Sequence, residues 1–312
     1  LYNCIYNEFC IQKTIEEGIA MDTIQMKAFG KVNLGLDVLR RREDGYHEVR
    51  MIMQTVQLFD RISIEKKPQE GIWLETNLPF LPVNENNIAY KAARMLMEEF
   101  HISGGLHIKI EKHIPVAAGM AGGSTNGAAV LYGINRICEL GLTKHQLMER
   151  GVRLGADVPY CIMRGTVLSE GIGEILTPVA ALPDCYILVA KPPVSVSTKH
   201  VYEHLRLDQV ERHPDIDGMV KALEAGSLSG VASRMENVLE TVTIPEHPEI
   251  QQIKETMISA GALNAMMSGS GPTVFGIFED KAQGAKARDI LRNGTLAKQV
   301  YLVKPFNIRS RR

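Results

Sequence analysis

Residues 115–126 carry the densest chemistry in the chain. Pro115, Val116, Ala117 and Ala118 lead to Gly119; Met120 and Ala121 separate it from Gly122 and Gly123; Ser124, Thr125 and Asn126 follow. A helical pattern begins at once with Ala128, Ala129, Leu131 and Tyr132. Glycines let backbone N–H groups turn toward a ligand with no Cβ in the way. A helix N-terminus adds unpaired N–H groups and a partial positive charge. Together they suit an anion, most often a phosphate. No Lys follows the glycines, which excludes a Walker A loop, and the spacing G-x-x-G-G is not G-x-G-x-x-G. The bland alternative is a tight strand-to-helix turn that binds nothing; three glycines, two hydroxyls and a helix start weigh against it.

Four further segments are polar beyond their surroundings. Lys31 and Asn33 interrupt the apolar run 28–39 and, two apart on a strand, face the same way. A buried Lys there needs an acidic partner or a phosphate; an edge strand with its polar face in water is the plainer reading. Asp157, in Gly-Ala-Asp-Val-Pro at 155–159, either caps a turn or aims a carboxylate at a substrate hydroxyl. With Lys31 as its partner the second reading gains, because phosphoryl transfer to an alcohol wants such a pair. Tyr46 and His47 follow Asp44-Gly45, a turn that could stack on a base and bond its edge, or be a plain hairpin tip. Ser268-Gly-Ser-Gly-Pro272 is a second close-approach loop or a tight turn.

These residues need elements to hold them. Alternation predicts strands over 23–38, 48–59, 61–66 and 106–112, with a short one at 72–75 inside a loop spanning 67–86. Helical spacing predicts helices at 87–100 and 123–138, and Thr143 with Gln146 resembles a capping box for another. Residues 160–190 hold three strand-like runs broken by Gly165, Gly171 and Pro178, so Asp157 is expected to precede a strand. The turn at 182–184 is the expected domain boundary. Beyond it come a strand at 185–191, helices near 198–205, 215–225 and 247–260, a strand pair at 264–278, a helix at 281–292 and a last strand at 299–303. Without a regular βαβ repeat the mixture predicts an α+β fold.

Composition bounds the rest. The 312 residues suit one large domain or two ordinary ones, and 45% apolar content suffices for a core. Lys+Arg of 35 against Asp+Glu of 36 argues against a polyanion or nucleic-acid binder. Five cysteines, Cys4, Cys10, Cys138, Cys161 and Cys185, show no metal spacing, and the last three read as small buried hydrophobes. Such usage suits a reducing cytoplasm, and no run reaches membrane-span length. Residues 1–20 are read as a tag or upstream read-through, the native start being Met21 or Met26.

In this order the five segments resemble the GHMP kinases (galacto-, homoserine, mevalonate and phosphomevalonate kinases), over roughly residues 24–305. The resemblance implies a two-domain fold: a ribosomal protein S5 domain 2-like N-terminal domain over 21–182, with the ATP-binding and catalytic residues, and a ferredoxin-like C-terminal domain over 183–312. Asp-Gly-Tyr-His at 44–47 together with Gly-Ala-Asp-Val-Pro at 155–159 points to the branch that phosphorylates a cytidine-diphosphate-linked methylerythritol at its 2-hydroxyl, a step of the non-mevalonate isoprenoid route. It implies Lys31 and Asp157 as catalytic residues and residues 115–125 as the ATP phosphate loop. Tyr46 and His47 match the cytosine contacts, Asn33 and Thr198 lie where the family meets its substrate, and Tyr202 would be the second ring of a cytosine sandwich. ATP with Mg²⁺ is the implied cofactor, the partner is the small-molecule substrate without nucleic acid or membrane, and a monomer or weak homodimer is expected.

Three positions depart from the commonest family pattern: Gly30 and Gly127 where Ala is usual, and Thr125, which keeps the hydroxyl, where Ser is usual. Gly127 costs up to about 1 kcal/mol of helix propensity. A homoserine- or mevalonate-type kinase is the first alternative, disfavoured because neither substrate carries a base for Tyr46 and His47. A non-catalytic ligand sensor is the second, disfavoured by the presence of both Lys31 and Asp157.

Overall fold

The computed structural model describes residues 22–308; the extension over residues 1–20 and the basic tail at 309–312 lie outside them. The chain packs into two compact units, neither continuous in sequence. The first takes residues up to Gly30, Phe59–Ile114 and Ala121–Met163; the second takes Lys31–Leu58, Pro115–Met120 and everything from Arg164 onward. The strands β1 (Thr23–Arg41) and β2 (His47–Lys67) therefore contribute to both. The two strands expected at 48–59 and 61–66 are one 21-residue strand, because Asp60 between them is fully buried and hydrogen-bonded rather than a break.

In the first unit the later half of β2 pairs antiparallel with β4 (Gly105–Glu111), Arg61 opposite Glu111 and Lys67 opposite Gly105. β3 (Gly71–Thr76) joins β4 in parallel. Strand alternation sends Leu106, Ile108 and Ile110 into the core. α1 (Ile88–Glu99) starts where the Asn87 side chain accepts the Ala89 N–H at 2.9 Å, and it buries Ala89, Ala92, Ala93 and Leu96 at helical spacing. α2 (Gly122–Ile137) lies close against it. A Cβ on Gly127 would stand 2.5 Å from Ile88 Cγ2, so the departure from Ala at 127 fits the neighbour that this chain has there. α3 (Lys144–Val152) opens with the expected Thr143–Gln146 capping box.

Residues 158–163 correct the sequence reading: they form the short helix α4 (Val158–Met163), not a strand. Val158, Pro159, Tyr160, Cys161 and Ile162 are all buried, and an apolar run buried all round shows neither a helical nor a strand period. Pro159 suits a first helical turn, where its missing N–H leaves no bond unmade.

In the second unit the first half of β2 pairs with β5 (Thr166–Glu170), Met51 opposite Ser169, and β5 pairs with β6 (Ile175–Pro178). β7 (Tyr186–Lys191), β8 (Asn264–Met267), β9 (Val274–Phe278) and β10 (Gln299–Val303) form an antiparallel sheet in the order β10-β7-β9-β8. Five helices lie between β7 and β8: α5 (Thr198–His204), α6 (Ile216–Glu224), α7 (Leu228–Ala232), α8 (Glu240–Glu246) and α9 (Glu249–Ser259). α10 (Lys281–Asn293) lies between β9 and β10. This strand order, with helical connections after the first and third strands, is the expected ferredoxin-like arrangement. The sequence reading lacked α7 and α8, which are too short to show a period; α8 also contains Pro245. Burial pushes the Cys185 thiol up to about 12, so this cysteine acts as a small hydrophobe, as read from the sequence.

Candidate active site

Lys31 and Asn33 sit on β1, in the second unit, and are 5% and 0% exposed. The water-facing alternative is thereby set aside. A buried ammonium is tolerated only when its donors are met. Lys31 Nζ donates to Asn33 Oδ1 at 2.7 Å and to the Gly119 carbonyl at 2.9 Å, while its backbone N–H donates to the Met120 carbonyl at 3.2 Å. The lysine is thus fastened to the glycine-rich loop at both its head and its main chain.

Gly119 occupies the left-handed region at φ 69°, and a Cβ on it would stand 2.0 Å from the Ser268 carbonyl oxygen. Its own carbonyl accepts from Ser268 Oγ at 3.0 Å as well as from Lys31. Residues 268–272 are therefore a close-approach loop rather than an idle turn: a Cβ on Gly269 would lie 3.5 Å from Lys31 Nζ. Asn237, 3% exposed, pins this loop by donating to the carbonyls of Met267 and Gly269 at 2.9 and 2.8 Å.

Along the glycine-rich loop itself, Ala117, Gly119 and Ala121 all have positive φ, at 50°, 69° and 55°. An anion nest needs left-handed residues of this kind beside right-handed ones. The loop runs into α2, whose N-cap Ala121 offers no side-chain cap, and the first helical bond there runs from Thr125 N–H to the Ala121 carbonyl at 2.9 Å. The exit of β4 and the start of α2 meet at the buried Asp60 carboxylate. It accepts from the His113 and Ile114 N–H groups at 2.7 and 2.8 Å, from Asn126 Nδ2 at 2.8 Å, and from Lys112 Nζ.

The Asp44-Gly45 turn is as expected: Arg42 N–H donates to the Tyr46 carbonyl at 2.8 Å, and Gly45 takes φ 86°. It leaves the Tyr46 ring 59% exposed. His47 is half-buried and its ring stands 5.1 Å from that of Tyr202 on α5. Burial, with the Arg41 charge adding to it, holds the His47 imidazole below its ordinary value, so the neutral ring prevails at pH 7. Thr198, at the start of α5, shares a 2.8 Å hydroxyl hydrogen bond with the buried Ser270. Lys31, Asn33, His47, Thr198 and Tyr202 thus all belong to the second unit, with Tyr46 in the same turn as His47.

Asp157 belongs to the first unit. It is half-buried, and its carbonyl accepts the Cys161 N–H at 3.0 Å, which places the residue at the N-terminal end of α4. Among the described residues no group of three or more His, Cys, Asp or Glu could hold a metal ion, and no helix is long and apolar enough to cross a membrane. Sequence reasoning did not single out Asp60, Lys112 or Asn237, and took Ser270 only as part of the loop at 268–272. Two of these had a signal: Asp60 shares the inward face of β2 with Val56, Leu58, Ile62 and Ile64, and Lys112 extends the inward series Leu106, Ile108 and Ile110. A charge on a buried face calls for a partner.

Comparison with known proteins bears on this geometry. The family profile described as GHMP kinases N terminal domain matches residues 87–165, and that described as GHMP kinases C terminal matches residues 219–295. A 4-diphosphocytidyl-2-C-methyl-D-erythritol kinase of Lachnospira eligens is 55% identical over 286 residues, covering 92% of this chain and 99% of that protein. One from Lachnoclostridium phytofermentans is 54% identical, covering 92% and 98%. A crystal structure of 4-(cytidine 5'-diphospho)-2C-methyl-D-erythritol kinase superposes with a TM-score of 0.77 at 31% identity, over 90% of this chain and 98% of that one. Homoserine kinase from Cytophaga hutchinsonii shares the fold, with a TM-score of 0.75 at 20% identity over 93% and 96%. The chain belongs to the GHMP kinases, in their 4-diphosphocytidyl-2-C-methyl-D-erythritol kinase branch.

Proposed function

We propose that this kinase transfers the γ-phosphoryl group of ATP to the 2-hydroxyl of 4-(cytidine 5'-diphospho)-2-C-methyl-D-erythritol, releasing ADP and the 2-phosphate. The observation that carries this reading is the 2.9 Å bond from Lys31 Nζ to the Gly119 carbonyl, which ties a buried ammonium to the loop that would cradle ATP. In this assignment residues 115–125 hold the phosphates through backbone N–H groups and the start of α2. Asp157 accepts the proton as the substrate oxygen bonds to phosphorus and the β–γ bridging bond breaks. Lys31 offsets charge on the transferred group, and Asn33 and Thr198 orient the acceptor. Tyr46, His47 and Tyr202 engage its cytosine, remote binding that helps aim the reacting hydroxyl. Mg²⁺ would arrive with the nucleotide and offset phosphate charge.

The test is an ADP-release assay with three acceptors. Turnover of the cytidylyl compound and none of mevalonate or homoserine is the expected result. Turnover of mevalonate or homoserine alone would reverse the substrate assignment, and ATP binding without any turnover would favour a sensor.

A further inference from the structure

We propose that Asp60 is a positioning residue for ATP, acting through the two feet of the glycine-rich loop. The chain leaves the first compact unit at Ile114 and re-enters it at Ala121. One carboxylate binds the chain at the exit and again in the first turns of α2. On the exit side Asp60 Oδ1 accepts the His113 and Ile114 N–H groups at 2.7 and 2.8 Å. On the return side Oδ2 accepts Asn126 Nδ2 at 2.8 Å. Lys112 links the sides: its ammonium donates to Asp60, to Asn126 Oδ1 at 3.0 Å and to the Gly122 carbonyl at 3.3 Å. A Cβ on Gly122 would stand 3.1 Å from Lys112 Nζ, so a glycine there makes room for the lysine head.

Two physical arguments separate this from an ordinary ion pair. A buried charge pair adds little stability over apolar residues of the same volume, so stability alone does not account for it. Next to it, Ala121 holds φ 55°, a left-handed state that costs an alanine about 1–2 kcal/mol and persists only where neighbours fix it. The cluster supplies that constraint at the residue where the loop becomes helix.

The inference rests on residues 115–125 holding the ATP phosphates. Asp60→Asn keeps the shape and removes the charge. Its ATP KM and ADP Kd are expected to rise about tenfold, from misplaced N–H groups, while the KM of the cytidylyl acceptor stays within about twofold. If that variant does not fold, Asn126→Ala removes the return arm and its bond from Lys112 while leaving the exit arm, and should move the ATP KM about threefold in the same direction. Unchanged KM values with a lower Tm or a smaller active fraction would overturn the proposal, as would an equal rise for both substrates. Gly123→Asp separates the two readings, because its carboxylate at the exposed start of α2 repels phosphate without filling packed space. If Gly123→Asp raises the ATP KM and Asp60→Asn does not, this inference alone falls; if neither does, the loop assignment falls with it.

Discussion

Lys31 shows what a single side chain can disclose. A charged residue in an apolar strand has two ordinary explanations, and burial to 5% exposure decides between them. In the proposed function Asp157 is its chemical partner, and the consequence is direct: Asp157→Ala should lower kcat by about 10²-fold or more, with the ATP-analogue Kd from calorimetry nearly unchanged. His47 makes a prediction in pH. Its pKa lies below the ordinary 6.5, so in the window beneath 6.5 the folded protein binds fewer protons than the unfolded chain, and stability there falls as pH falls. The protonated ring has no acceptor nitrogen left for a base. The KM of the cytidylyl acceptor should therefore climb as the pH falls through the acid range beneath 6.5, while in His47→Asn that climb flattens. A steady-state pH profile of both proteins checks it, and parallel profiles would count against a cytosine contact.

At the scale of elements, α2 is held close by what its glycines lack. Gly127→Ala would gain helix propensity of about 1 kcal/mol but press a methyl to 2.5 Å from Ile88 Cγ2. Overpacking of this kind costs about 1–3 kcal/mol, so Tm should fall, and Ile88→Ala, which removes Cγ2, should cost less in the Gly127→Ala background than in the parent protein. Thermal melts of the single and double variants measure the coupling. β4 and α1 were legible in the sequence because each buries one face with a clear period, whereas α2, buried without a break from Thr125 to Leu131, was marked by the glycine run at its start. α4 was not legible, because Val158–Met163 is buried on every side and has no polar face to mark its period. α7 and α8 were too short to carry one. The glycine loop and the Tyr46–His47 turn could be read from local residue types. The Asn237 clamp and the Thr198–Ser270 bond could not, since they join residues 72 apart or attach to backbone carbonyls, which leave no trace in residue identity.

For the whole molecule, the interleaving of the chain sets the unit of folding. The second compact unit includes residues 31–58, whose backbone is bonded to its C-terminal part. Leu36 N–H donates to the Glu236 carbonyl at 2.9 Å, Gln57 N–H to the Lys304 carbonyl at 2.9 Å, and Phe306 N–H to the Thr55 carbonyl at 2.8 Å. A fragment of residues 183–308 alone would lose these bonds and uncover the apolar residues beneath them, so it should give no cooperative thermal transition. A sharp melt with native-like near-UV dichroism would show that the sheet of β7 to β10 stands by itself. These main-chain bonds between early and late segments are blind to side-chain identity, whereas Arg50 with Asp217 and Gln57 Nε2 with the Pro305 carbonyl add side-chain bonds beside them. Hybrids that graft the C-terminal half of a distant relative onto this N-terminal half should therefore keep the main-chain bonds of the seam and lose the Arg50–Asp217 pair wherever the relative lacks that aspartate. Genes of this kind can drift far apart, or recombine, without tearing the protein along it.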